Sequence, residues 1–257
     1  MPILPPPVVL AFPAAVLGLV MGSFVTALSY RQPRAESVAR GRSRCPSCGH
    51  TLAAVDLVPV LSWVAQGGAC RYCKAPVSGR YPAIECVTMG LFIAGVFCVT
   101  DLAHLAILAA MTVAMMTLAV VDLEQQRLPN GIVLALAALA LAWRWAGDRD
   151  MSQALVAAAV VFAAGVMLNA GFRAITGRAG LGLGDTKLLA GAALALPPGP
   201  LLLFLSAAGI AGVAFGVFWR WRTAGAQFPF GPAILAAYWV ALTGGDAALA
   251  RLAAWAA

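Results

Sequence analysis

Residues 104–121 read HLAILAAMTVAMMTLAVV and are followed directly by Asp122. The stretch contains no Asp, Glu, Lys or Arg, and its length is close to the roughly 20 apolar residues that a helix needs to cross a bilayer. The whole chain has the same character, since 62% of its 257 residues are hydrophobic and 11% are charged, against roughly 25% charged in soluble domains. We therefore expect an integral membrane protein.

Seven further apolar stretches surround this one. They are residues 8–30, 83–99, 131–145, 153–172, 186–195, 201–219 and 231–243. Several are shorter than a full span, and 186–195 is the shortest. The fold predicted from them is an all-α polytopic membrane protein with about eight transmembrane helices. Its expected domains are a first transmembrane helix at 1–30, a cytoplasmic loop domain at 31–82 and a membrane-embedded domain at 83–257.

The basic residues predict the orientation of these helices. With eight spans and the loop 31–82 inside, all but three of the 17 Lys and Arg fall on the inside. Arg144 and Arg149 are among the three exceptions. Cytoplasmic loops carry this excess, so the loop 31–82 is expected in the cytoplasm. The net charge of +7 then matches insertion bias and anionic lipid, which makes the lipid bilayer the expected partner and nucleic acid an unlikely one.

Two aspartates stand at the ends of apolar stretches. Asp122 closes one stretch, and Asp185 opens another inside the run Leu181-Gly182-Leu183-Gly184-Asp185-Thr186-Lys187. Two spans lie between them, so the chain returns to the same side and both carboxyls are expected at the cytoplasmic face. Two carboxyls in a partly dehydrated site share one proton, and such a pair can carry out aspartic proteolysis. The sequence therefore predicts Asp122 and Asp185 as a catalytic pair.

Simpler interpretations of the same residues remain open at this point. Asp185 stands where a helix begins, and Asp is a favoured N-cap residue. Asp122 at the end of a span can be solvated at the interface, and Asp56 in the first loop is expected to be solvated. Gly180, Gly182 and Gly184 are expected to allow an unusual turn and the close approach of a substrate backbone.

The loop 31–82 contains two Cys-x-x-Cys pairs, Cys45 with Cys48 and Cys70 with Cys73. Each pair can present two thiolates on a tight turn, and together they complete the closed tetrahedral shell of a structural zinc site. Two disulfides are the alternative, but the basic flanks place the loop in the reducing cytosol. His50 can replace one ligand, although a polar turn residue is the simpler interpretation. We therefore expect one structural zinc per chain.

Taken in order, these blocks resemble the bacterial type IV prepilin peptidase family, membrane aspartic proteases of the Gly-x-Gly-Asp kind. The resemblance runs from about Gly18 to Ala236. Its blocks are Gly22-Ser23-Phe24, Tyr30-Arg31-Gln32-Pro33, the two cysteine pairs, Ser78-Gly79-Arg80-Tyr81-Pro82 with Glu85, Asp122 with Leu128-Pro129, residues 182–189 and Pro229-Phe230-Gly231-Pro232.

The resemblance implies a function. Members of that family remove the leader of type IV prepilins and pseudopilins on the cytoplasmic side of the bacterial inner membrane. Many also methylate the new amino terminus with S-adenosylmethionine. Carried over residue by residue, the catalytic aspartates are Asp122 and Asp185, and the zinc ligands are the four loop cysteines. The sequence assigns no residues to S-adenosylmethionine, because it contains no glycine-rich strand-to-helix motif.

Two other function classes are considered. A proton-coupled transporter with a regulatory zinc loop would also place carboxyls in the membrane, but it predicts them across the depth of the bilayer and not on one face. A non-enzymatic scaffold would depend on the cysteines and not on the aspartates.

Overall fold

The computed structural model describes residues 5–34, 36–37, 41–177, 180–223 and 227–256. Residues 1–4, where the predicted first segment begins, lie outside this part, as do Arg40 and Arg178, two of the cations assigned to the inside. Nine α-helices form within the described ranges. They are α1 (Pro7–Arg31), α2 (Leu61–Ala65), α3 (Arg80–Cys98), α4 (Leu102–Gln125), α5 (Asn130–Ala146), α6 (Met151–Thr176), α7 (Leu183–Ala193), α8 (Pro198–Thr223) and α9 (Gly231–Ala256).

The predicted all-α membrane fold is confirmed. The eight apolar stretches lie on α1 and α3 to α9, and the described residues contain no strand beyond two isolated bridges. Within the same ranges, five helices are long and apolar enough to cross a membrane, namely α1, α3, α4, α6 and α8, whereas α5 is a shorter apolar helix.

The predicted count of eight spans is not confirmed, and α7 shows the physical reason. This helix has 11 residues, a length of about 16 Å, whereas the hydrocarbon core is roughly 30 Å thick. Gly182 stands before its first turn, and Pro197 and Pro198 follow its last. An apolar stretch between such residues forms a helix without being long enough to span.

The chain divides into two compact units, and the first covers residues 1–105. In it, α1 packs along α3 through two glycines one helical turn apart. A Cβ on Gly18 would lie 2.7 Å from Cα of Met89, and one on Gly22 would lie 2.6 Å from Cα of Glu85. This Gly-x-x-x-Gly pattern lets membrane helices approach backbone to backbone. The loop domain therefore starts and ends on two closely packed helices.

The second unit covers residues 106–257. In it, α7 packs against α5, α6 and α9, and its residues Leu188, Ala192 and Ala193 are buried. The small side chains let three neighbours surround one short helix. The start of this helix, where Asp185 lies, is thereby held in place by the core of the unit.

Arg144 of α5 belongs to this core. Its side chain is 1% exposed. It donates hydrogen bonds to the carbonyl oxygens of Asp150 at 2.8 Å and Leu196 at 3.3 Å, and to Oε1 of Gln153 at 2.7 Å. The sequence assigns Arg144 to the cations of the outer face, but the structure buries it, because the guanidinium donors find partners in the chain.

Candidate functional site

Two equivalent turns carry the four cysteines. In each turn the N–H of the first cysteine donates to the carbonyl five residues on, and the N–H four residues on donates back to that cysteine, at 2.8 to 3.0 Å. The residue after the second cysteine has a positive φ in both turns, 70° at Gly49 and 61° at Lys74. This left-handed residue closes each turn, so that both thiols of a pair face the same point.

The four sulfur atoms form a compact cluster. The Sγ atoms of Cys45, Cys48, Cys70 and Cys73 all lie within 4.8 Å of one another, and those of Cys45 and Cys73 are 3.9 Å apart. Zinc with Zn–S distances of about 2.3 Å requires tetrahedral edges of about 3.8 Å. The cluster can therefore hold one metal ion in a closed shell.

The surroundings of the cluster separate His50 from it. The His50 ring stacks on Tyr72 with ring centroids 3.6 Å apart, and the hydroxyl of Tyr72 donates to Oδ2 of Asp56 at 3.1 Å. The prediction that Asp56 is solvated is wrong, because its side chain is 2% exposed. Hydrogen bonds from the Ala53 N–H and the Tyr72 hydroxyl, together with the charge of Arg71, lower the pKa of Asp56.

Asp122 lies in the last turn of α4 and is 5% exposed. Its Oδ2 accepts the N–H of Gly231 at 2.8 Å. Gly231 is the first residue of α9, so the positive end of that helix faces the carboxyl. A Cβ on Gly231 would lie 2.7 Å from Oδ2. The solvated interpretation of Asp122 is therefore wrong, and the contact requires glycine at position 231.

Asp185 is the third residue of α7, and Gly182 occupies the N-cap position. Asp185 is therefore not the N-cap residue itself, but its carboxyl interacts with the backbone N–H of Gly182, the residue that is. Its carboxyl turns back toward Gly182, where a Cβ would lie 2.8 Å from Oδ2. Asp122 is near enough for its negative charge to act on Asp185. The structure thus brings the two predicted aspartates within electrostatic reach of each other in the second unit.

The structure tests one of the two predicted uses of the glycines before Asp185, the unusual turn, while the close approach of a substrate backbone stays a prediction. Gly180, Gly182 and Gly184 are not among the described residues with positive φ, so the expected unusual turn is wrong. A Cβ on Gly180 would lie 2.8 Å from the Phe172 ring, whereas one on Gly184 would make only ordinary contact, 3.4 Å from Leu128. Gly180 and Gly182 are therefore needed for close approach by side chains of the chain itself.

A pair of carboxyls that act on each other has a defined chemical capability. Two such carboxyls do not both ionise easily, so one of them can hold a proton while the other acts as a base. The pair can therefore take a proton from water and donate a hydrogen bond to a carbonyl oxygen.

Sequence reasoning missed the contact between Gly231 and Asp122. The block Pro229-Phe230-Gly231-Pro232 is noticed in the sequence only through the family resemblance. The sequence signal for this contact is a glycine at the start of a helix that is predicted on the same side of the membrane as the two aspartates. That signal does not identify Asp122 as the partner, because Gly231 and Asp122 are far apart along the chain.

Comparison with known proteins adds a separate observation. The bacterial peptidase A24 N-terminal domain matches residues 16–99, and the type IV leader peptidase family matches residues 109–217. A Stutzerimonas stutzeri protein named prepilin leader peptidase/N-methyltransferase is 34% identical over 91% of this chain and 90% of its own length. The chain belongs to the type IV leader peptidase family.

Other relatives of the chain are also named prepilin leader peptidase/N-methyltransferase. The Aeromonas hydrophila protein is 35% identical over 80% of the chain and 72% of its own length. The Myxococcus xanthus protein is 37% identical over 68% of the chain and 52% of its own length. No solved structure matches the chain. The predicted family is thereby confirmed, and the transporter alternative finds no support among these relatives.

Proposed function

We propose that this chain is a prepilin leader peptidase and N-methyltransferase. It hydrolyses one peptide bond behind the leader of type IV prepilins or pseudopilins and methylates the amino terminus that the cut exposes. The observation that carries the proposal is similarity over nearly the whole chain to proteins of that name. The pair formed by Asp122, which is buried, and Asp185 supports the peptidase activity with a specific chemistry.

In the proposed peptidase reaction, Asp122 and Asp185 share one proton. The ionised carboxylate takes a proton from water as that water attacks the scissile carbonyl, and the protonated carboxyl donates a hydrogen bond to the carbonyl oxygen. Gly231 holds Oδ2 of Asp122 through its N–H. Fixing the orientation of the carboxyl in this way favours a reactive geometry.

The metal in this proposal is zinc, held by Cys45, Cys48, Cys70 and Cys73. Four thiolates leave no open position, so the ion is structural and does not activate water. It stabilises the loop domain 31–82, which lies between the first helix, 1–30, and the peptidase domain, 83–257. A small loop domain gains much of its folding free energy from such a site.

In this proposal, S-adenosylmethionine supplies the methyl group when it is bound. The described residues contain no strand that leads through a glycine-rich turn into a helix, so the familiar cradle for this cofactor is absent from them. We therefore assign no residues to it.

The proposed location is the bacterial inner membrane, with Asp122 and Asp185 facing the cytoplasm. The basic loops support this orientation. A precursor with a charged leader ahead of an apolar helix would place the bond between them at the membrane surface, which is where the two aspartates are expected.

The peptidase proposal is tested by co-expressing a prepilin with Asp122→Asn or Asp185→Asn and analysing the pilin by mass spectrometry. We expect both variants to lose cleavage, because an amide can neither act as the base nor share the proton. Asp148→Asn is the matched control, since Asp148 is exposed in the loop after α5 and has a positive φ that Asn tolerates. Normal processing by either site variant would refute the mechanism. In the unsubstituted protein, the same spectrum shows whether a methyl group is added.

A further inference from the structure

The loop domain contains an uncharged segment in the middle of a basic sequence. No Asp, Glu, Lys or Arg occurs from Leu57 to Cys70, and the segment is preceded by Asp56 and followed by Arg71. Its apolar side chains are exposed, with Leu61 68%, Val64 62% and Val58 40% accessible. Apolar side chains so close together on a surface indicate a contact with something apolar.

The packing of the loop domain does not use this surface. Trp63 is the inward residue of α2: its Nε1 donates to the carbonyl of Val77 at 3.0 Å, and its ring lies 2.9 Å from where a Cβ on Gly68 would be. Leu61 and Val64, three positions apart on the helix, share one face. That face remains exposed after the domain has folded.

Glu85 of α3 fixes the depth of the segment relative to the membrane. Its Oε2 accepts the N–H of Val60 at 2.7 Å. Glu85 is the sixth residue of α3, which begins at Arg80, so it lies about 7.5 Å along the helix from the start. Since α3 has the length and composition of a membrane span, a bond to its sixth residue holds Val60 near one end of that span, on the side of the membrane surface.

The backbone of the segment is suited to such a place, where water is scarce. The N–H groups of residues 61, 62, 64 and 66 donate to carbonyls of residues 58 to 62, and Pro59 has no N–H. Val60 has a φ of 60°, which is rare for a β-branched residue and marks a constrained position. Its N–H is the one that Glu85 accepts. Backbone at membrane depth is stable only when its polar groups are bonded in this way.

We propose that residues 58–64 are a membrane-docking segment, which inserts Val58, Leu61 and Val64 into the headgroup boundary and holds the loop domain against the bilayer. Arg31 ends α1 and Arg80 begins α3. Both therefore stand at the ends of candidate spans, where their charge matches anionic headgroups. The Glu85 carboxylate, which accepts the Val60 N–H, holds the segment at this depth in the membrane, and we call this contact the latch.

The test uses the full chain in vesicles of phosphatidylethanolamine and phosphatidylglycerol. A benzoylphenylalanine photocrosslinker replaces Leu61 or, in a second variant, Val64, and mass spectrometry identifies the adducts. Phe97, exposed on the span α3, is the position for the positive control. Ser47, exposed in the first cysteine turn, is the position for the negative control. Zinc content shows that each variant has folded.

We expect lipid adducts at positions 61 and 64 in a yield close to that at 97 and well above that at 47. Yields no higher than at position 47 would overturn the proposal. Adducts mainly with a polypeptide, such as an added prepilin, would also overturn it and assign the surface to a protein partner.

The latch is tested with the photocrosslinker at position 64. Glu85→Leu removes the acceptor for the Val60 N–H, and we expect the lipid adduct to be reduced. Glu85→Gln retains an acceptor oxygen and should preserve the yield. An unchanged yield in Glu85→Leu would overturn the role of Glu85.

Discussion

At the scale of single residues, a backbone group supports the proposed catalytic pair. The N–H of Gly231 contacts Asp122, and the missing Cβ makes room for the carboxyl. A Cβ at position 231 would lie 2.7 Å from Oδ2, so any larger residue there would force the carboxyl to move. The orientation of Asp122 therefore depends on the identity of a residue that carries no functional group.

We predict that Gly231→Ala lowers kcat for prepilin cleavage by about 10²-fold with little change in KM, because a carboxyl displaced by about 1 Å loses its reactive geometry. Cleavage of a purified prepilin measures both constants. Gly244→Ala is the matched control on the same helix, since a Cβ there meets nothing within 4 Å. Equal activity of the two variants would show that the contact does not orient Asp122.

At the scale of elements, the two cysteine turns bring four sulfur atoms together where a metal ion could join them. We predict about one zinc per chain by metal analysis of the purified protein. Cys70→Ser should abolish it, since Cys70 is a buried member of the cluster. Cys86 is exposed on α3 and lies outside the cluster, so Cys86→Ser should retain the zinc. Disulfides in protein prepared under reducing conditions, or zinc retained in Cys70→Ser, would contradict the site.

The contact between α1 and α3 gives a prediction about stability. Gly22→Ala would place a Cβ 2.6 Å from the backbone of Glu85, and we expect the overpacking to cost about 1–3 kcal/mol of unfolding free energy. Gly90→Ala, where a Cβ on α3 meets nothing within 4 Å, should be neutral or slightly stabilising. Thermal unfolding in detergent micelles measures both. A similar melting temperature for Gly22→Ala and Gly90→Ala would mean that α1 and α3 accommodate the added Cβ with little loss of unfolding free energy.

At the scale of the whole molecule, the proposed orientation predicts which loops a reagent can reach. In intact cells, an impermeant maleimide should label Asp148→Cys but not Arg127→Cys, because the basic loops stay in the cytoplasm. Arg127→Cys should be labelled once the membrane is permeabilised, and the unsubstituted protein gives the background. Labelling of Arg127→Cys in intact cells would reverse the proposed orientation.

The helical membrane fold was predictable because hydropathy acts locally. Each apolar stretch must satisfy its own backbone hydrogen bonds in lipid, so composition and length decide that it forms a helix. The number of spans was not predictable to the same degree. A helix as short as α7 is stabilised by Arg144, Leu188 and the neighbouring helices, and such packing leaves no local signal.

The sequence by itself determined the family, the all-α membrane architecture, and the aspartates and cysteines that carry the proposed chemistry. Only the tertiary structure decided that the four thiols converge, that Asp122 is buried against Gly231, and that Glu85 binds the backbone at Val60. The reason is physical. Hydropathy and cysteine spacing act over a few residues, whereas a contact such as that of Asp122 with Gly231 joins positions 109 residues apart, and only the packing of the helices brings them together.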